Sequence, residues 1–247
     1  MEKEQPRFVI HSAAERRPDI SENDPDATWA MNVEVTQRLA GMCNESGAWM
    51  LYISTDYVFD GTTPPYQPGD TPNPLNHYGR SKLAGEQAIQ ETGDDFGILR
   101  VPILYGQIEN LEESAVTTMV PFLLQDVIPP QDHWATRYPT HVDDVALVCR
   151  QMVGHKAVEE GFHGIYHWSA NEPYTKYEMA LTMAPSLGVD PELIKADSNP
   201  SKGTPRPEDC ALESTALESL ALGRQRSFAE AIASVIEEAL GKEESPG

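Results

Sequence analysis

The sequence predicts an α/β protein: a doubly wound parallel sheet entered part-way through, followed by a smaller α/β C-terminal lobe. Three short apolar runs, residues 7–14, 49–54 and 97–104, are nearly continuous rather than alternating, as strands buried on both faces are. Segments with helical spacing lie between them, at 21–43 and 76–92. Strand, helix, strand, helix, strand is the succession that a parallel sheet with covering helices requires.

Each element has a local reason. The first run ends in the small residues Ser12, Ala13 and Ala14, after which Asp24 offers an N-cap and Pro25 fits a first helical turn. Trp29, Val33, Leu39 and Ala40 supply an apolar stripe for that helix. Residues 107–140 are irregular, 141–152 read as a helix and 164–170 as a late strand. Helices are expected over 175–184 and 227–240, on either side of a Pro-rich stretch at 199–207. The polar residues 242–247 are expected to fray. In domain terms this gives a nucleotide-binding lobe at 1–106 and a substrate or partner lobe at 107–240. Segments 141–154 and 162–170 return to the sheet, and 241–247 form a tail.

Thirty-nine acidic against 18 basic residues give a formal charge of −21, which repels phosphate backbones and anionic lipid, so neither nucleic acid nor a membrane is expected as a partner. Cys43, Cys149 and Cys210 match neither a disulfide framework nor a metal-binding spacing. A cytosolic location follows, with the nucleus left open. His133, His141, His163 and His167 lack zinc-site spacing, so no metal is expected. Asp143 and Asp144 read as first-turn acids favoured by a helix dipole.

The stretch Ser54-Thr55-Asp56-Tyr57-Val58-Phe59-Asp60-Gly61, followed by Tyr78-Gly79-Arg80-Ser81-Lys82, carries the chemistry. Tyr78 and Lys82 are four apart and share one helix face. A phenol with an ordinary pKa of about 10 exchanges protons poorly near neutrality, and an adjacent ammonium would lower it. Thr55 at a strand end would hydrogen-bond a substrate oxygen, with Ser54 as the fallback hydroxyl. Tyr-x-x-x-Lys alone is a weak signal, and its context gives it weight.

That context, with the run Pro74 to Glu86, resembles the extended short-chain dehydrogenase/reductase family and, within it, the dTDP-4-dehydrorhamnose reductase branch. The resemblance implies a Rossmann-like fold, NADP as cofactor, and Thr55, Tyr78 and Lys82 as catalytic residues. It implies that Asn32 braces the lysine and that His11, Ala13 and Ala14 pass the cofactor ribose and phosphates. Arg100, Pro102 and Leu104 would meet the nicotinamide. Arg206, in Thr204-Pro205-Arg206-Pro207, resembles a position that contacts a nucleotide diphosphate, and Arg16, Arg17 and Arg137 are further candidates for an anion or acidic partner.

Ala13-Ala14-Glu15-Arg16-Arg17-Pro18-Asp19, Leu111-Glu112-Glu113-Ser114-Ala115-Val116-Thr117, Asp132-His133-Trp134 and Arg137-Tyr138-Pro139-Thr140-His141-Val142 narrow the resemblance to the regulatory beta subunits of methionine adenosyltransferase. This implies a non-catalytic regulator docked on a catalytic subunit. Two alternatives stand beside it: an NADP-dependent nucleotide-sugar reductase and an inactive short form. The family's opening G-x-x-G-x-x-G loop does not occur in these residues, and the pattern starts near the family's fourth strand. Compared with the family the sheet is truncated, which predicts weakened NADP binding and an exposed first strand open to a homodimer or partner.

Overall fold

The computed structural model describes residues 5–200 and 202–243. The first strand, β1 (Phe8–His11), is shorter than expected, and residues 12–17 leave the sheet as a loop across its carboxyl edge. The helix expected over 21–43 is broken into α1 (Pro18–Asn23), α2 (Pro25–Trp29), a π-helical stretch (Ala30–Glu34) and α3 (Val35–Ser46). Pro25 is the physical reason for the first break, since it has no N–H to continue α1, and Asp24 caps α2 by accepting from the Ala27 amide at 3.1 Å. Gly47, with φ of 68°, ends α3 in the left-handed conformation that glycine adopts cheaply.

Next come β2 (Trp49–Thr55), α4 (His77–Gln90) and β3 (Phe96–Val101). The third apolar run stops at Val101 because Pro102 cannot donate to the ladder. The chain resumes as β4 (Leu104–Tyr105), and α5 (Val120–Leu123), β5 (Gln131–Asp132), β6 (Thr140–His141), α6 (Val142–Lys156) and β7 (Gly164–His167) follow. The last elements are α7 (Lys176–Leu187), β8 (Ala196–Asp197), α8 (Thr215–Glu218) and α9 (Phe228–Glu243). The end of the expected tail, 244–247, lies outside the described residues.

The main sheet is parallel in the order β1-β2-β3-β7, with β1 at its edge. Alternation along β2 splits its side chains between two cores. Trp49 and Leu51 meet Val148 and Met152 of α6, while Met50 and Tyr52 meet Ala40 and Cys43 of α3 and Ile89 of α4. Helices therefore cover both faces, the doubly wound arrangement predicted from sequence. A third core joins Tyr105, Met119 and Leu123 to Met179 and Met183 of α7 and Ile232 and Ile236 of α9. Two short parallel pairs, β4 with β6 and β5 with β8, build the smaller C-terminal lobe. Among the described residues no helix is long and apolar enough to cross a membrane, and no three His, Cys, Asp or Glu residues gather to hold a metal ion.

Candidate functional site

A cavity of about 560 Å³ opens at the carboxyl ends of β2 and β3, where it is closed from the other side by the smaller lobe. One wall grows from β2 and α4. Gly79 makes this possible: a Cβ there would lie 2.2 Å from the Tyr57 carbonyl oxygen, so only glycine lets the start of α4 approach the end of β2 so closely. Asn76 caps α4 by accepting from the Gly79 amide at 2.8 Å, and its Nδ2 donates to the Pro205 carbonyl at 2.9 Å. Helical spacing then turns Tyr78 and Lys82 to the cavity together.

Thr55 Oγ1 donates to Asp56 Oδ1 at 3.0 Å and lies beside the half-buried Tyr78 phenol on the cavity wall. Burial pushes that phenol up, with Asp56 and Tyr57 adding to the effect and Thr55 and Arg16 opposing it. Lys82 moves the other way, to about 7, because burial disfavours its charge; Glu86 pulls against this. Its Nζ donates to the Ile53 carbonyl at 2.7 Å. The expectation that Lys82 would bring the Tyr78 phenol towards neutrality is thus corrected, since loss of water outweighs attraction for both groups.

The opposite wall is cationic. Arg137 is buried, with Nη1 donating to the carbonyls of Thr136 at 2.8 Å and Pro207 at 3.1 Å, and its guanidinium lies 5.7 Å from the centre of the Tyr57 ring. Lys176 is pushed down by burial and by repulsion from Arg206 and Arg137, with Asp132 and Asp19 opposing. Arg206 reaches Asp19 at 2.7 Å, and Arg16 donates to the Glu112 carbonyl at 3.3 Å. Asp56, buried between the walls, is pushed up to about 6, mainly by burial and against the pull of Arg137. Crowded cations that repel one another on a half-dry wall would be relieved by an anion.

Of the expected site residues, Thr55, Tyr78, Lys82, Ala14, Pro102, Leu104, Arg16, Arg137 and Arg206 line the cavity. His11, Ala13, Asn32, Arg17 and Arg100 are not among the lining residues. His11 turns its Nε2 to Thr36 Oγ1 at 2.9 Å, and Ala13 is exposed on the loop. Arg17 pairs with Glu15 in solvent. Arg100 is drawn into the core by Glu86, with Nε and Nη2 donating to that carboxylate at 2.9 and 2.6 Å. Asn32 bonds the Glu15 backbone at both N–H (2.8 Å) and C=O (2.9 Å) and donates to Ser81 Oγ at 2.9 Å. It therefore ties the rim loop to α4, and its side-chain bonds do not run to Lys82. Lys176, Asp132 and Asp56 were missed. Lys176 carried a signal: a cation in the first turn of a helix sits against the dipole and calls for a reason.

The comparisons with known proteins fall in line with this geometry. A family model described as the RmlD substrate binding domain matches residues 1–240. Methionine adenosyltransferase 2 subunit beta of Bos taurus is 45% identical over 226 residues, 91% of this chain and 68% of that protein. dTDP-4-dehydrorhamnose reductase of Salmonella typhimurium is 30% identical over 210 residues, 83% of this chain and 69% of that enzyme. The structure of dTDP-4-dehydrorhamnose reductase from Bacillus anthracis in complex with NADP superposes with a TM-score of 0.81 at 25% identity, covering 96% of this chain and 81% of that one. The chain belongs to the RmlD substrate binding domain family and is homologous to the beta subunits of methionine adenosyltransferase 2.

Proposed function

We propose that this chain is a non-catalytic regulatory subunit of a methionine adenosyltransferase, acting in the supply of S-adenosylmethionine in the cytosol. The single observation that carries the reading is the gap between 45% identity to the beta subunits and 30% to the reductase, over comparable spans. The partner is the catalytic subunit, and residues 107–240 form the lobe we assign to partner or ligand, against a nucleotide-binding lobe at 1–106.

The cavity's donor set matches one end of NADP. Lys82 uses one hydrogen bond among the described residues and has N–H groups left for ribose hydroxyls, while Pro102 and Leu104 offer an apolar surface for a nicotinamide. That end fits. These residues contain no G-x-x-G-x-x-G to hold a pyrophosphate, and we infer that on their own they hold that end of the cofactor weakly. A bound nicotinamide cofactor would supply a hydride. Of the chain's own groups, Thr55 would orient a carbonyl oxygen and Tyr78 Oη would hold the proton it receives. The convergence of Thr55, Tyr78 and Lys82 on one cavity wall is the observation that favours a second reading, an NADP-dependent nucleotide-sugar reductase.

Steady-state kinetics of the catalytic subunit with and without this chain separate the two. The regulator changes those kinetics, and Tyr78→Phe leaves the change in place. A chain without effect on the catalytic subunit that instead oxidises NADPH with a dTDP-keto-sugar, and loses this with Tyr78→Phe, overturns the proposal.

A further inference from the structure

Lys82 is an ammonium with 2% exposure that makes no ion pair among the described residues. Its nearest carboxylate along α4, Glu86, is committed elsewhere. Glu86 Oε1 accepts from Ser54 Oγ at 2.5 Å and Arg100 Nε at 2.9 Å, and Oε2 from Arg100 Nη2 at 2.6 Å. Burial disfavours this charge and brings Lys82 down to about 7, so the groups that face the ammonium govern how it is held.

What lies beneath it is Tyr52. Lys82 Nζ stands 3.9 Å from the centre of that ring while donating to the carbonyl of the next residue, Ile53. Adjacent positions of β2 thus form a seat, one giving a ring face and the other a carbonyl. The Tyr52 hydroxyl makes no well-formed hydrogen bond and only lies beside Thr36, so the polar tip is not what the position uses. Space for the ring depends on Gly85, one turn after Lys82, where a Cβ would fall 2.6 Å from the Tyr52 oxygen. The face of an aromatic ring attracts a cation most strongly where water is excluded.

We propose that Tyr52 is a positioning residue that seats the Lys82 ammonium at the cavity wall through the face of its ring. The seat holds the lysine in the same way whichever of the two functions the cavity serves. The titratable groups that face Lys82 are Glu86 on its own helix, His11 on β1 and the Tyr52 phenol beneath it, with Tyr78 and Asp56 on the same cavity wall. His11 already registers the neighbour, since burial and then the Lys82 charge hold it at about 4.

The test is an NMR titration of the Lys82 side chain in chain labelled with isotopic lysine, assigned by its disappearance in Lys82→Met. Attraction to the ring favours the charged form, so removing it lowers the midpoint. Tyr52→Phe keeps the ring and leaves the midpoint within roughly 0.3 pH units, whereas Tyr52→Leu lowers it by about one pH unit. Because leucine leaves room for water and removes core packing, pentafluorophenylalanine at position 52 is the second variant: it keeps the ring's shape and removes its negative face. A midpoint that falls with pentafluorophenylalanine and holds with phenylalanine supports the seat. A midpoint unchanged with pentafluorophenylalanine, or one that falls equally with phenylalanine, overturns it.

Discussion

Thr55, Tyr78 and Lys82 reach the cavity from one stretch of chain, residues 54–82, whereas Arg137, Lys176 and Arg206 reach it from three separate ones. The first wall is held by backbone geometry and core packing: a strand end, a capped helix and glycines at close approaches. The second is an assembly of charges on loops and a helix start, held by long-range bonds such as those from Arg137 to Pro207 and from Arg206 to Asp19. The first wall is therefore fixed by folding, and the second is poised for an anion. Changes to the first should cost stability, and changes to the second should cost affinity.

The largest expected effect tests the foundation of the packed wall. Arg100→Ala strands the buried Glu86 carboxylate and should destabilise the chain by about 3–5 kcal/mol, read from urea unfolding. A loss below about 1 kcal/mol would mean the pair is not what supports α4.

Asp56 lies where the walls meet, and its charge is a liability. The folded state holds its proton up to about 6 against 3.8 for the ordinary group, so the carboxylate costs stability above pH 6. That cost fades as pH falls from 6 to 3.8. Asp56→Asn should therefore stabilise by about 1–3 kcal/mol at pH 8 and leave stability unchanged at pH 3.5. Equal effects at both values would show that hydrogen bonding, rather than the charge, governs the site.

Gly79→Ala puts a Cβ into the Tyr57 carbonyl and should cost about 1–3 kcal/mol in thermal or urea unfolding. The smallest stability effect belongs to the cationic wall. Lys176→Met should change stability by less than about 0.5 kcal/mol while weakening inorganic pyrophosphate binding about tenfold, the loss of one charge-assisted contact. If the stability change exceeds the affinity change, the contrast between the walls collapses.

The same contrast explains what could be read in advance. Strands at 49–55 and 96–101 declare themselves by unbroken apolar runs, and Tyr78 and Lys82 by a local spacing that needs no tertiary knowledge. Thr55 follows from its place at a strand end. Asp132 and Lys176 come together with Arg137 only through the pairing of β5 with β8 and the docking of α7, which no local pattern encodes. Arg100 was misplaced for a related reason: its position next to the cavity strand end was legible, but the buried Glu86 that turns it inward was not. The split of the first helix was half legible, since Pro25 marked the break while the π-helical stretch carrying Asn32 left no signature.

The regulatory reading is tested most directly by calorimetric titration of the purified chain into the catalytic subunit of methionine adenosyltransferase from the same source, with NADPH titrated separately. Saturable binding to the catalytic subunit, alongside weak or no heat from NADPH, is the predicted result. Tight NADPH binding with no heat from the catalytic subunit would contradict it.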